Sequence, residues 1–435
     1  MLVNVEQLKE IQGMLELLSN DIDMPDDGGY LGEKEYEELP DKMEIEEIRL
    51  DFPDDQEVFS IDPEDFLDYM KEINTLRREG DFIVRTDHII QATISSARIG
   101  FTSFEDAVTS YSFGADGIAV KVIKKPFLVG VMNAKEGHYN EDFGFGACEP
   151  YTAIEIRLEE GKEEININEL IEQICYFLTD KMGVAVYPWE GPDFDEMYDT
   201  MNEYYDGIDE DDAESDSEDS EDEEVSLDLS SLPHYSLLLK MYRQAKEVND
   251  PEIQFLQYYK MIEYVSPIVA KSVAYEHLNK RLDMLPRVSR DHKYLDSILS
   301  VARKYDKDLR DDSLALATIE NCVDVVPLYE MLPKRMLKKV KASLKFQKDT
   351  LTDEEITDEQ HIGLQKQISS ILYATRNSIV HAKSNYVPTG NEILDDELAD
   401  ANEMMDVIAH SIINWNDRQP EDIGFDYRDT KYETS

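Results

Sequence analysis

Positive charge is what this chain has least of: 43 Lys and Arg stand against 96 Asp and Glu, a formal net charge of −53. That balance excludes whole-chain electrostatic adhesion to nucleic acid or to an anionic membrane. Cysteine is scarce as well. Cys148, Cys175 and Cys322 are odd in number and show no C-x-x-C spacing, which excludes a disulfide frame and a thiolate zinc site. They read as buried thiols in a reducing compartment. No apolar run reaches ~18 residues, so no segment reads as a membrane span. The opening MLVNVEQLKEIQGMLELL has no basic start and carries acids inside its apolar pattern, unlike a signal peptide. A cytoplasmic protein is the expectation.

What is present is unevenly placed. At 435 residues the chain exceeds one ordinary core, and two domains are expected. Residues 1–232 hold 16 basic against 62 acidic residues, whereas basic residues outnumber acidic ones in 233–348. Between Asp209 and Glu224, DEDDAESDSEDSEDEE places 12 acids in 16 residues with no apolar side chain larger than Ala213. Such a run cannot bury enough surface to offset chain entropy, so 201–232 is expected as a disordered acidic linker. It reads as a solvated spacer, or as a nucleic-acid mimic covering the basic segment beyond it.

Before the linker, residues 1–200 read as an α+β domain on an antiparallel sheet. Apolar residues at helical spacing mark a helix over 4–18, and Asp62–Pro63 opens another to about Arg78. FIVRTDHIIQATI, TSYSFG and IAVKVI, PFLVGVMNA, YTAIEIRLEE and GVAVYPW read as strands, with Asp116–Gly117 as a hairpin turn and Asn168 capping a helix through Lys181. Residues 233–415 read as an all-α bundle. Its segments are SLLLKMYRQAKEV, then EIQFLQYYKMIEYV with Phe255, Tyr258, Tyr259 and Ile262 on one stripe and Pro267 as a kink or break. KYLDSILSVARKY, SLALATIENCVDVV, PKRMLKKVKASLKF, EQHIGLQKQISSILYATRNSIVHAK and EILDDELADANEMMDVIAHSIIN follow. Residues 416–435 read as a polar tail.

The stretch LYATRNSIVHAKSNY carries Arg376, Asn377 and His381 inside the next-to-last of these helices. Arg-x4-His is weak alone and recurs as Arg287 and His292 in a polar connector. Context separates the two. Ile368, Leu372, Thr375, Ile379 and Ala382 form a core-facing stripe, while Arg376, Val380, Tyr373, Asn377 and His381 share an arc of roughly 140° on another face. Apolar Tyr373 and Val380 between polar groups suit a cleft or a dimer seam.

A helical bundle whose penultimate long helix ends in Arg-Asn-x3-His resembles the HEPN superfamily, the higher eukaryotes and prokaryotes nucleotide-binding domains. FLQYYKMIEYV is similar to the early helix of bacterial antiviral proteins of the ApeA-like kind. The resemblance covers about 235–415 and implies metal-independent RNA cleavage, with no metal or other cofactor. It assigns the chemistry to Arg376 and His381, supported by Asn377, in a composite cleft between the motif helices of two protomers.

Those residue types suit that reaction. RNA supplies its own 2′-OH nucleophile, so an imidazole that exchanges protons near neutrality and a permanently charged guanidinium suffice. One chain offers one histidine here; a homodimer offers two, with Tyr373 and Val380 as seam residues. Lys334, Arg335, Lys338 and Lys339 on the basic helix are candidate contacts to the RNA backbone, or else a solvated face. The expected protein is a toxin or antiviral effector whose first domain senses a protein or phage trigger or restrains the nuclease. Two other readings stand beside it: a catalytically silent binding or dimerisation module, and an acidic nucleic-acid-mimicking adaptor or inhibitor. Asp87–His88 reads as a structural pair, and His277 and His292 lack metal-ligand partners at helical spacing.

Overall fold

The computed structural model describes residues 2–3, 5–19, 22, 43–96, 104, 108, 111–115, 117–161, 165–191, 225–283, 299–300, 311–381 and 387–419. The chain divides into two compact units, Met1–Leu232 and Pro233–Ser435. The first is α+β on a mainly antiparallel sheet and the second is helical, as the sequence predicts.

In the first unit, helix α1 (Val5–Leu18) precedes the short pair β1 (Ile48–Leu50) and β2 (Phe59–Ile61). Helix α2 (Pro63–Glu72) follows, its N-terminus capped by Asp62, whose Oδ1 accepts the Glu64 N–H at 2.7 Å. The strands are β3 (Arg77–Arg78), β4 (Ile83–Arg85), β5 (Ile89–Ser95), β6 (Tyr111–Ala115) and β7 (Ile118–Lys124). Helix α3 (Phe127–Glu136), strand β8 (Thr152–Leu158), helix α4 (Ile167–Met182), strand β9 (Tyr187–Pro188) and strand β10 (Val225–Asp228) complete the unit. The sheet runs β10-β6-β7-β8-β5-β4-β3, with β9 also on β5. Every pairing is antiparallel except β10 on β6. Gly117 adopts φ +74° in the two-residue turn where Ala115 faces Ile118, the turn predicted from Asp116–Gly117.

Alternation along the strands gives the sheet two covered faces. Ile154 and Ile156 of β8, Val120 and Val122 of β7 and Ile90 and Ile94 of β5 pack with Leu170, Ile174 and Leu178 of α4. The other face meets α2 and α3, where Phe66, Tyr69, Phe127, Leu128 and Val131 join a core that extends to α1. On this second face the central cross-strand row is polar: Lys121 on β7 faces Glu155 on β8, which faces Gln91 on β5. Glu155 is fully buried. It accepts hydrogen bonds from the Tyr69 hydroxyl, from Gln91 Nε2 at 2.7 Å and from Arg157 Nε at 2.8 Å. Arg157 reaches on to Asp65 at 2.7 Å, and Gln91 Oε1 accepts the Leu128 and Val129 amides at the start of α3. Burial, then the neighbouring Glu155 carboxylate, hold the Tyr69 hydroxyl well above its ordinary value.

Nearby, Asp55 Oδ1 accepts the amides of Cys148 at 3.0 Å and Glu149 at 3.1 Å, while Oδ2 is buried without a hydrogen-bond partner. Burial pushes its carboxyl up to about 6 against the opposing effect of the two amides. A Cβ at Gly146 would lie 2.0 Å from Asp55 Oδ1, so only glycine admits this approach.

In the second unit, α5 (Leu237–Glu247), α6 (Pro251–Leu282), α7 (Asp311–Cys322), α8 (Val325–Met331), α9 (Lys334–Leu344), α10 (Asp358–Val380) and α11 (Leu398–Asp417) form the bundle. Helix α6 packs on α5, α7, α10 and α11, and α10 also packs on α7, α8 and α9. Phe255, Tyr258, Tyr259 and Ile262 are buried, as their stripe predicts.

Several sequence expectations need correcting. PFLVGVMNA is helix α3, not a strand: seven consecutive buried residues carry no period that separates the two, and Gly137 closes the helix at φ +74°. Asn166 rather than Asn168 caps α4, through the Glu169 amide at 3.4 Å. Helix α2 stops at Glu72, before a 3-10 turn and β3. Residues 225–232, expected at the end of the linker, add β10 to the sheet edge and bury Leu232 in its core. Asp324 breaks SLALATIENCVDVV into two helices by capping the second through the Val326 amide. Helix α6 runs unbroken through Pro267. The acidic run 209–224, most of KYLDSILSVARKY, and Arg287 with His292 lie outside the described residues.

Candidate functional site

Helix α10 sets the frame. Thr357 and Gln360 make a capping box at its start, and Gln360 Nε2 also donates to the Leu344 carbonyl at 3.0 Å, tying α9 to α10. Leu364, Ile368, Ile371, Leu372 and Thr375 are buried along one stripe. Thr375 Oγ1 donates to the Ile371 carbonyl at 2.8 Å and accepts the Ile393 amide at 3.0 Å.

That stripe turns Arg376 toward α6. Its Nη2 lies 3.0 Å from Glu263 Oε1 and its Nη1 donates to Asn377 Oδ1 at 3.1 Å. The arginine is largely covered, while Glu263 remains about half exposed (27 % and 47 %). The described contacts engage two of the five guanidinium N–H donors, so the head is oriented and still able to bind an anion.

Beside Glu263, Tyr259, Ile262, Ser266, Leu314 and Ala315 line a pocket of about 140 Å³ between α6 and α7. Pro267 explains the local backbone: it offers no amide hydrogen to the Glu263 carbonyl one turn earlier. Ser266 Oγ donates to the Ile262 carbonyl at 2.6 Å and lies 2.7 Å from Thr318 Oγ1 on α7.

His381 falls at the end of α10 and not inside the helix. It has φ −104° and ψ 10°, its amide donates to the Asn377 carbonyl at 3.0 Å, and its side chain is exposed. Ser378 Oγ, donating to the Thr375 carbonyl at 2.7 Å, competes with the helical ladder in this last turn. The motif helix therefore ends within the motif, and Ala382, expected on its stripe, lies outside the described residues. Tyr373 is half-buried and Val380 is 48 % exposed.

The basic helix α9 is less open than its sequence suggests. Arg335 donates to the Glu392 carbonyl and lies 3.7 Å from Glu397. Lys339 Nζ donates to the Gly390 carbonyl at 2.9 Å and to Asn391 Oδ1. These two cations hold the segment 389–397 against α9. Lys334 and Lys338 are exposed and make no ion pair among the described residues.

Elsewhere, Asp87 pairs with Arg77 at 3.3 Å and His88 Nδ1 with Glu72 at 2.7 Å, a structural arrangement. Burial raises the Glu72 carboxyl, but hydrogen bonds from Thr86 and His88 outweigh it and leave the group below the usual carboxylate range. Cys148, Cys175 and Cys322 are buried and form no disulfide, and burial pushes the Cys322 thiol up, away from a reactive thiolate. Among the described residues, no group of three or more His, Cys, Asp or Glu is placed to hold a metal ion, and no helix is long and apolar enough to cross a membrane.

Glu263 and its pocket are the features that sequence reasoning missed. The available signal was Pro267, whose missing amide marks the residue four positions earlier. Compared with models of known families, with curated proteins and with solved structures, the chain matches none.

Proposed function

We propose that the helical unit is a metal-independent RNA endonuclease of the HEPN kind, acting as a toxin or antiviral effector. The observation that carries this reading is the Arg376 guanidinium, oriented by Asn377 and Glu263 at the side of a pocket, on a helix that ends at His381. In the proposed reaction the RNA 2′-oxygen attacks phosphorus and the bond from phosphorus to the 5′-oxygen breaks. His381 accepts the 2′-OH proton, and the partner protomer's imidazole supplies a proton to the leaving oxygen. Arg376 stabilises the charge building on the non-bridging oxygens, a role that a fixed, always-charged fork suits. A symmetric homodimer through Tyr373 and Val380 supplies the two histidines.

Incubating total RNA with the purified full chain, Arg376→Ala and His381→Ala tests this directly. Cleavage by the wild type alone is expected, and equal cleavage by either variant removes the mechanism. The first unit is assigned a sensing or restraining role, because most of the acidic excess lies in residues 1–232. Deletion at the unit boundary, after Leu232, is expected to raise cleavage, and an unchanged rate removes the restraint.

A second reading has its own observation. Arg376 joins α10 to α6 through Glu263, as it would in a silent binding or dimerisation module. A folded, dimeric helical unit that cuts no RNA decides for it.

A further inference from the structure

The pocket beside Arg376 has one charged group in its wall, Glu263. Glu263 contributes a carboxylate, which only accepts hydrogen bonds. Ser266 Oγ donates to the Ile262 carbonyl at 2.6 Å and lies 2.7 Å from Thr318 Oγ1, so its hydroxyl is spent within the bundle and offers the pocket no free hydrogen. Ile262, Leu314, Ala315 and the ring of Tyr259 supply the apolar remainder. A ligand edge that meets Glu263 must therefore donate hydrogen bonds, because an acceptor facing the carboxylate oxygens would leave both sides unsatisfied.

Size narrows the choice. A cavity of about 140 Å³ exceeds the roughly 10–15 Å³ that a water needs and falls below the roughly 300 Å³ at which sites for drug-sized ligands begin. That is the scale of one planar heterocycle. Position narrows it further, since Glu263 Oε1 lies 3.0 Å from Arg376 Nη2. A phosphate on the guanidinium and a ring in the pocket are then neighbours, as they are within one nucleotide.

We infer that the pocket formed by Tyr259, Ile262, Glu263, Ser266, Leu314 and Ala315 binds a nucleobase bearing an exocyclic amine, adjacent to the phosphate held by Arg376. The inference rests on the ribonuclease reading for its substrate and gives that site a base preference: adenine, cytosine or guanine over uracil. Unpaired RNA bases are read in this way, with the ring in an apolar slot and its polar edge on fixed groups. Uracil presents the O4 acceptor where cytosine presents the N4 amine. Phosphate also competes with Glu263 for Arg376, so binding of the nucleotide releases the carboxylate toward the base.

Calorimetry on the full chain carrying His381→Ala, titrated with cytidine, adenosine and uridine 3′-monophosphates, tests it. The amino-bearing nucleotides are expected to bind at least about tenfold more tightly than uridine 3′-monophosphate. Adding Glu263→Gln, which is isosteric and at the surface, should bring the three within about threefold, because its amide N–H can serve uracil O4. Ala315→Leu, which fills the cavity, should lower cytidine 3′-monophosphate affinity while leaving inorganic phosphate binding at Arg376 unchanged. Equal affinities in the parent chain, absence of nucleotide binding, or discrimination that survives Glu263→Gln would each overturn the assignment. Parallel cleavage of a mixed-sequence RNA by the wild type separates the two ideas. Cleavage without base discrimination removes the pocket and keeps the ribonuclease; discrimination without cleavage keeps a nucleotide pocket and removes the ribonuclease.

Discussion

Each unit holds a polar cluster built around an arginine–carboxylate contact, Arg157 with Glu155 and Arg376 with Glu263, and the two differ in what they leave open. In the first unit, Glu155 is fully buried and ringed by Tyr69, Gln91, Arg157 and Lys121, so its oxygens are saturated by the protein. In the second, Glu263 is about half exposed, meets Arg376 along one edge, and borders a pocket. A closed cluster fixes strand register and helix docking. An open one keeps donors and acceptors for something outside the chain. Exposure and an adjoining cavity, more than the presence of charge, distinguish a candidate site from a structural clamp.

Truncation breaks that comparison most sharply. Glu155→Ala leaves the buried Gln91 and Tyr69 donors without their acceptor, while Arg157 keeps Asp65, and each unsatisfied buried donor costs about 1–3 kcal/mol. Arg376→Ala removes a part-exposed pair worth at most about 1 kcal/mol, while abolishing RNA cleavage if the proposed mechanism holds. Urea unfolding of the full chain measures both. A larger stability loss at Arg376 than at Glu155 would reverse the assignment of roles.

Asp55 sharpens the same contrast through pH. Its folded-state carboxyl stands at about 6 against an ordinary 3.8, so ionisation opposes folding. The stabilising contribution of the protonated form is complete below about 3.8 and is lost as pH rises through about 6. Asp55→Asn cannot ionise and keeps an oxygen for the Cys148 and Glu149 amides. Its stability relative to wild type is therefore expected to rise between about pH 4 and about pH 8, by on the order of 2 kcal/mol. Melting temperatures at several pH values report this, and a difference that stays constant with pH removes burial as the cause.

Much of this architecture was legible beforehand, and what failed did so for identifiable physical reasons. The Phe255–Ile262 stripe, the hairpin at Gly117 and the division into an α+β and a helical half follow from periodicity and turn chemistry, which are local. Helix α3 was misread because burial on every side erases the period that separates helix from strand. Strand β10 was hidden because its partner β6 lies more than a hundred residues earlier, and an acidic neighbourhood looked like continuing linker. Arg376, Asn377 and His381 were visible as a motif on one helix. Glu263 was not, because the contact that singles it out joins α6 to α10, and no spacing along the chain encodes that meeting. The end of α10 at His381 came out differently for a local reason: hydroxyls of Thr375 and Ser378 reach the main chain of the final turns.

The smallest expected effect divides the basic helix. Arg335 and Lys339 are occupied with the segment 389–397, whereas Lys334 and Lys338 are exposed and outside any ion pair among the described residues. If α9 meets the RNA backbone, the exposed pair meets it. Lys334→Ala and Lys338→Ala should leave the unfolding midpoint unchanged and weaken RNA binding without regard to sequence, each lowering the slope of log affinity against log salt by roughly 0.7 for a single strand. Arg335→Ala and Lys339→Ala should instead lower stability by roughly 1 kcal/mol apiece, with little change in that slope. A salt slope governed by Arg335 and Lys339 would mean that the segment 389–397 leaves α9 when RNA binds, and that the clamp and the binding surface are the same cations.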